Sequence, residues 1–157
     1  MGNDERTILL VEDNPDDEAL TIRALKGRSI LTPVVVAPDG AEALDYLFGR
    51  GPYAGRNPLD LPAVMLLDLK LPKVDGLEVL RQVRAAESTR LLPVVIFTSS
   101  AEERDLISGY RIGCNSYICK PVDSEKFRST VQQLGLYWLV VNQCPTPPPG
   151  ARVEVQR

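Results

Sequence analysis

The chain has 157 residues, 44% of them hydrophobic and 25% charged, the composition of one ordinary globular domain and of neither a disordered nor a fibrous chain. Lys and Arg number 18 against 21 Asp and Glu, a net charge of −3, so no basic excess points to nucleic acid or to an anionic membrane. There is no histidine, which excludes Ser-His-Asp and Cys-His nucleophile systems and all histidine metal sites.

In chain order, Met1 to Glu5 carry no apolar core, so no secretory signal is expected and the cytoplasm is the default location. The first apolar run is Ile8-Leu9-Leu10-Val11, and it stops at Glu12-Asp13. A helix is predicted over 16–26, with Leu20 and Ala24 on its apolar face and Ala19, Ile22 and Leu25 beside them. Val34-Val35-Val36-Ala37 reads as an edge strand, and Asp39-Gly40 opens a second helix through Ala43, Leu44 and Leu47. Residues 49–62, rich in Gly and Pro around Tyr53, form a loop insertion. Gly49-Arg50-Gly51 lacks the Gly-Lys-Ser/Thr ending of a nucleotide-binding loop and follows no strand.

Val64-Met65-Leu66-Leu67 ends in Asp68, and Asp75-Gly76 opens a helix through Leu77, Val79, Leu80 and Val83. Val94-Val95-Ile96-Phe97 ends in Thr98-Ser99, Ser100 is placed to cap a helix over 101–112, and Gly113 ends it. Ser116-Tyr117-Ile118-Cys119 reads as the other edge strand and is followed by Lys120-Pro121. Asp123 caps the last helix, although Lys126 leaves the capping box incomplete. Cys114, Cys119 and Cys144 form no C-x-x-C pair and read as small buried hydrophobes in a reducing compartment. The proline-rich stretch after Asn142 reads as an extended or disordered tail over 143–157, leaving residues 1–142 as the folded domain. The longest apolar runs are far short of the ~20 residues of a spanning helix.

The three central runs do not alternate, as expected of parallel strands covered on both faces. Strand and helix repeat five times, which predicts an α/β, doubly wound, five-stranded parallel sheet in the flavodoxin-like order 2-1-3-4-5. The working crevice of such a sheet lies beyond the carboxyl ends of its strands. Any strand must surface somewhere, so Asp13 or Asp68 alone says little. Glu12, Asp13, Asp68, Thr98 and Lys120 together, all delivered to one edge, say more. Crowded carboxylates need a cation, and an all-oxygen set without His or Cys suits Mg²⁺. Asp68, centrally placed, is the candidate nucleophile for an aspartyl phosphate, with Thr98 and Lys120 as donors to phosphoryl oxygens.

This constellation closely resembles the receiver domain of bacterial two-component response regulators, on Glu12-Asp13, Asp68 within Leu67-Asp68-Leu69-Lys70-Leu71-Pro72, Asp75-Gly76, Thr98-Ser99 and Lys120-Pro121. The resemblance covers about Thr7 to Val141. It implies phosphotransfer onto Asp68 from a histidine kinase, with Mg²⁺ held by Asp13, Asp68 and the Lys70 backbone carbonyl and Glu12 in the outer shell. It also implies a cis Lys120-Pro121 peptide that places the ammonium over the pocket, and Tyr117 as a switch aromatic that turns inward when Thr98 moves. Glu12-Asp13-Asn14-Pro15, Gly51-Pro52-Tyr53, Lys120-Pro121-Val122-Asp123 and Tyr137-Trp138-Leu139 are similar to the stand-alone regulators of phytochrome-type sensor kinases, which tend to dimerise. Lys70, two residues after the acceptor, can reach over the pocket mouth, which suggests slow loss of phosphate, or it can point to solvent.

Phe127, Val131, Leu134, Trp138 and Val141 are spaced 4, 3, 4 and 3, a stripe that should face the sheet. Leu136, Tyr137, Leu139 and Val140 fall largely outside it. In the resembled family the surface of helix 4, strand 5 and helix 5 is the usual dimer face, so these four residues are the expected homodimer contact. About 15 residues follow Asn142, so output is expected through protein contacts or a phosphotransfer protein, with no nucleic acid or membrane partner. The expected role is a phosphoacceptor signalling protein rather than an enzyme. The alternatives are a constitutive docking module with an inactive pocket, and a phosphohydrolase. The latter would carry a second aspartate where this chain has Lys70.

Overall fold

The computed structural model describes residues 6–27 and 32–145. The apolar runs are strands β1 (Ile8–Val11), β2 (Val34–Ala37), β3 (Val64–Leu67), β4 (Val94–Thr98) and β5 (Ser116–Cys119). Helices α1 (Pro15–Lys26), α2 (Gly40–Phe48), α3 (Gly76–Ala85), α4 (Glu103–Ile112) and α5 (Ser124–Leu136) alternate with them. The sheet is parallel throughout, in the order β2-β1-β3-β4-β5. Parallel strands need crossovers, and the helices cover both faces of the sheet.

Two cores result, and the pleat explains why the central runs do not alternate. Ile8, Leu10, Val64, Leu66, Val95 and Phe97 point to the face covered by Ala24 and Leu25 of α1 and Phe127, Val131 and Leu134 of α5. Their neighbours Leu9, Val11, Met65, Leu67, Val94 and Ile96 point to the other face, against Leu44 and Leu47 of α2 and Val79, Leu80 and Val83 of α3. The edge strands β2 and β5 are only partly covered.

Most helix starts follow their caps. Asn14 Oδ1 accepts from the N–H groups of Asp16 at 2.8 Å and Asp17 at 3.1 Å, Asp39 from Glu42 at 2.8 Å, and Asp75 from Glu78 at 3.0 Å. Gly49 (φ 66°) and Gly113 (φ 129°) end α2 and α4 in backbone conformations that L side chains resist.

Four expectations are corrected. Within α1 Thr21 is buried along with Ala24 and Leu25, its hydroxyl donating to the Asp17 carbonyl at 2.8 Å, whereas Ala19 is exposed. Helix α4 begins at Glu103 rather than 101: Glu102 holds the cap position without a side-chain capping bond, and the Ser100 hydroxyl, outside the helix, accepts from the Glu102 N–H at 3.4 Å and donates to Asp105 at 2.6 Å. The Lys120-Pro121 peptide is trans.

The fourth concerns the end of α5, where a π-helical turn, Tyr137–Val141, closes with the Asn142 N–H donating to the Tyr137 carbonyl at 2.7 Å. One extra residue per turn sets the following side chains back by about 100°. Val141 therefore leaves the predicted core stripe and is 59% exposed, while Leu139 packs beside Trp138 against the α1/α5 core. Leu139 is thus withdrawn from the expected surface set, of which Leu136, Tyr137 and Val140 remain exposed.

The 49–62 insertion is ordered, with a single 3₁₀ turn at Gly51–Tyr53. The Tyr53 hydroxyl donates to Glu42 of α2 at 2.6 Å, its ring meets Tyr46 edge-on at 5.2 Å, and the Arg56 guanidinium stacks on Tyr46. Residues 146–157 of the predicted tail lie outside the described residues, and of the three cysteines Cys114 is buried whereas Cys119 is exposed and Cys144 half-buried.

Candidate functional site

At the carboxyl edge of the sheet, β1, β3 and the segment after β5 deliver their charged ends to one place. Lys120 is buried, and its ammonium donates to Glu12 Oε1 at 2.7 Å, Asp17 Oδ2 at 2.8 Å and Asp68 Oδ2 at 3.0 Å. The trans Lys120-Pro121 peptide does not prevent this reach, because the Lys120 N–H pairs with the Thr98 carbonyl at 2.7 Å and fixes the backbone next to β4. The other oxygen of Asp68 accepts from the Leu69 N–H at 2.7 Å. Gly76 allows the β3–α3 connection to fold tightly there, since a Cβ on it would lie 2.2 Å from the Asp68 carbonyl oxygen.

Glu12, Asp13 and Asp68 each bring a carboxylate oxygen within 4.8 Å of the others. Glu12 and Asp68 are buried, whereas Asp13 is exposed at the rim. Burial pushes the Glu12 carboxyl up to about 7, against the pull of Lys120, and the nearby Asp68 charge adds to the rise. Burial alone would lower the Lys120 ammonium, but its bonds to Asp17 and Glu12 and the Asp68 charge hold it above the usual lysine value. One ammonium therefore bonds three carboxylates, and Asp13 adds a fourth beside Glu12 and Asp68. The three clustered ones are all-oxygen donors of the kind a hard divalent cation takes, so the residues present fit such an ion. Asp13 and Lys70 also line one open cavity of about 430 Å³ with Leu71, Pro72, Asp75 and Asp105. The Lys70 side chain is exposed.

Thr98 is fully buried next to this cluster, and its hydroxyl accepts from the Ser100 N–H at 3.3 Å instead of reaching the carboxylates. Half-buried Tyr117 donates its hydroxyl to the Ser100 carbonyl at 3.0 Å, which ties β5 to the β4–α4 connection. Burial raises the Tyr117 phenol above its ordinary value. Ser100, read from sequence only as a cap, in fact touches Thr98, Tyr117 and Asp105. Asp17 was missed as well, because its only signal was an acidic first turn in α1, which any helix favours.

A family model, the response regulator receiver domain, matches residues 8–132, and the chain belongs to that family. The chain is similar to phytochrome response regulators of known structure. The phosphorylated cyanobacterial phytochrome response regulator RcpA superposes with a TM-score of 0.84 at 35% identity, over 90% of this chain and 99% of that one. Response regulator Rcp1 of Synechocystis sp. is 34% identical over 138 residues, 88% of this chain and 92% of its own length. Its Mn(2+)-bound form superposes with a TM-score of 0.83 at 34% identity, over 89% of this chain and 99% of that one. The probable methanogenesis regulatory protein FilR2 of Methanothrix harundinacea is 42% identical over 147 residues, 93% of this chain and 92% of its own length. Among the described residues, no helix is long and apolar enough to cross a membrane.

Proposed function

We propose that this receiver is a phosphorylation-controlled switch in a two-component relay, with Asp68 as the phosphoacceptor. The observation that carries the reading is the buried Lys120 ammonium bonded to Asp68 beside the Glu12, Asp13 and Asp68 carboxylates. With no histidine in this chain, the donor is the phosphohistidine of another molecule. A carboxylate oxygen of Asp68 bonds to phosphorus as the P–N bond breaks, and the imidazole nitrogen departs with the electron pair and takes up a proton. Asp13, Asp68 and the Lys70 carbonyl would hold Mg²⁺, with Glu12 in the outer shell, and the bound ion would neutralise charge on the carboxylates and the phosphoryl oxygens. Lys120 pairs with one phosphoryl oxygen. Thr98 donates its hydroxyl to another once its side chain turns out of the Ser100 contact, and this motion pulls on the Ser100 carbonyl that Tyr117 holds.

The similarity to RcpA and Rcp1 supports a cytoplasmic phytochrome-type sensor kinase as the donor. Output runs through protein contacts, including a homodimer on the surface of α4, β5 and α5. Leu106, Ile107 and Tyr110 of α4 are exposed, as are Leu136, Tyr137 and Val140 at the end of α5, an apolar surplus that one chain leaves uncovered.

The test is intact-mass spectrometry after incubation with a small acyl phosphate, with and without Mg²⁺, on the wild type and Asp68→Asn. The expected result is one Mg²⁺-dependent phosphoryl adduct, absent from the variant. No adduct on the wild type would leave a docking module with an inactive pocket as the function.

A further inference from the structure

The proposed chemistry assigns a task to each carboxylate at the site except Asp17. Its Oδ2 nevertheless lies 2.8 Å from the Lys120 ammonium, between Glu12 at 2.7 Å and Asp68 at 3.0 Å. The three N–H donors of Lys120 are thereby all matched, one to each carboxylate.

These partners differ in what else claims them. Glu12 and Asp68 belong to the clustered set that fits a divalent cation, and Asp17 does not. A dication and an ammonium are like charges competing for the same oxygens. Loading the cluster therefore weakens the hold of Glu12 and Asp68 on Lys120, and only Asp17 stays wholly with the ammonium. A lysine without a fixed partner is a flexible four-carbon stem whose head returns to water.

Asp17 itself is well anchored. As the third residue of α1, it donates its N–H to Asn14 Oδ1 at 3.1 Å, and its carbonyl accepts from the Thr21 hydroxyl at 2.8 Å. Pro15 opens the same turn. The carboxylate therefore extends from a capped helix end, with a side-chain exposure of 26%.

We propose that Asp17 is a positioning residue: its α1-anchored carboxylate keeps the Lys120 ammonium aimed at the Asp68 oxygens while a divalent cation occupies the Glu12, Asp13 and Asp68 carboxylates. This deepens the phosphoacceptor reading and rests on it. The sign of the effect separates it from plain electrostatics. Asp17 adds negative charge where an anionic phosphoryl group arrives, so charge alone predicts faster phosphorylation when it is removed. Positioning predicts slower phosphorylation.

Two readouts test it on the full chain. In the acyl phosphate assay with saturating Mg²⁺, Asp17→Ala is expected to lower the maximal rate of adduct formation about 10–100-fold, the worth of one charge-assisted hydrogen bond. The half-saturating concentration of donor should change little, and Asp17→Asn, which keeps an acceptor oxygen of the same shape, should recover part of the rate. The second readout needs no phosphorylation. An amine-acylating reagent followed by peptide mass spectrometry should find Lys120 protected in the wild type with or without Mg²⁺, and reactive in Asp17→Ala once Mg²⁺ is added.

A rate in Asp17→Ala at or above the wild type overturns the proposal, as does a Lys120 that stays protected there with Mg²⁺. If Asp17→Ala fails to fold, Asp17→Asn carries the same test with a smaller expected loss, and a rate at or above the wild type overturns it equally. Absence of any adduct on the wild type, with the acylation pattern as expected, would instead overturn the phosphoacceptor reading.

Discussion

At the scale of single residues, Lys120 does the work that a metal ion shares in a loaded site. With 6% side-chain exposure, it pairs with Glu12, Asp17 and Asp68 and neutralises part of the charge that burial of Glu12 and Asp68 would otherwise make costly. Replacing it with Met keeps the bulk and removes the charge, leaving buried Glu12 and Asp68 without their counter-ion. Removing one member of a buried pair costs about 3–5 kcal/mol, so Lys120→Met should unfold at a lower temperature than the wild type. The same change removes the cation that competes with a divalent ion for Glu12 and Asp68. Added Mg²⁺ should therefore raise the melting temperature of Lys120→Met by more than it raises that of the wild type. Thermal unfolding followed by circular dichroism, with and without Mg²⁺, checks this. An equal or smaller Mg²⁺ effect in the variant would count against the acidic cluster as a cation site.

At the scale of elements, the 49–62 insertion is fastened to α2 by the bond between Tyr53 and Glu42. That bond, with burial and the Glu42 charge, pushes the Tyr53 phenol up to about 12 from its ordinary 10.0. The folded value lies above the unfolded one, so the contribution of this contact is fully present below pH 10 and is lost as pH rises through 12. An alkaline absorbance titration should show a phenol ionising near 12 that Tyr53→Phe removes, distinct from Tyr117, whose phenol burial also raises. Glu42→Gln should bring that phenol back toward 10.0, since the charged acceptor is gone. A Tyr53 phenol that still ionises near 12 in Glu42→Gln would mean that burial, not the bond, holds it. The end of α5 is a second case where one element decides what it presents. Its π-helical turn sends Leu139 inward and Val141 outward, so the apolar surface comprises Leu136, Tyr137, Val140 and Val141.

At the scale of the molecule, this surface and the exposed Leu106, Ile107 and Tyr110 of α4 make the proposed dimer testable. Val140→Asp should shift the protein toward monomer in sedimentation equilibrium while leaving its melting temperature near that of the dissociated wild type. Leu139→Ala should instead lower the melting temperature, because Leu139 packs on the core. Unchanged association in Val140→Asp would remove this face as the dimer contact. A chain of hydrogen bonds also links site and surface physically. Ser100 and Tyr117 lie between Thr98 at the acidic edge and α4, so a displacement of Thr98 has a hydrogen-bonded route outward.

Much of this was legible in the sequence because it depends on local patterns. Apolar runs bounded by charged ends and capped helices in strict alternation leave few topologies open, and parallel sheets place all strand ends at one edge. Glu12, Asp13, Asp68 and Lys120 could thus be assigned to one place before any contact was visible. What the sequence could not settle depends on through-space packing. Asp17 sits 103 positions from Lys120, and nothing local marks it as different from Asp16 beside it. Ser100 reads as the cap because caps are recognised by residue type, whereas the helix starts only after Glu102 and the Ser100 hydroxyl links the Glu102 N–H to Asp105. The inward turn of Leu139 required a π-helical turn, and the 3.6-residue period that makes helices readable also hides a departure from it. Sequence patterning thus determined which strand ends meet. The tertiary structure alone decided which donors pair there, because burial forces each buried charge to take whatever partner the packed helices bring within reach.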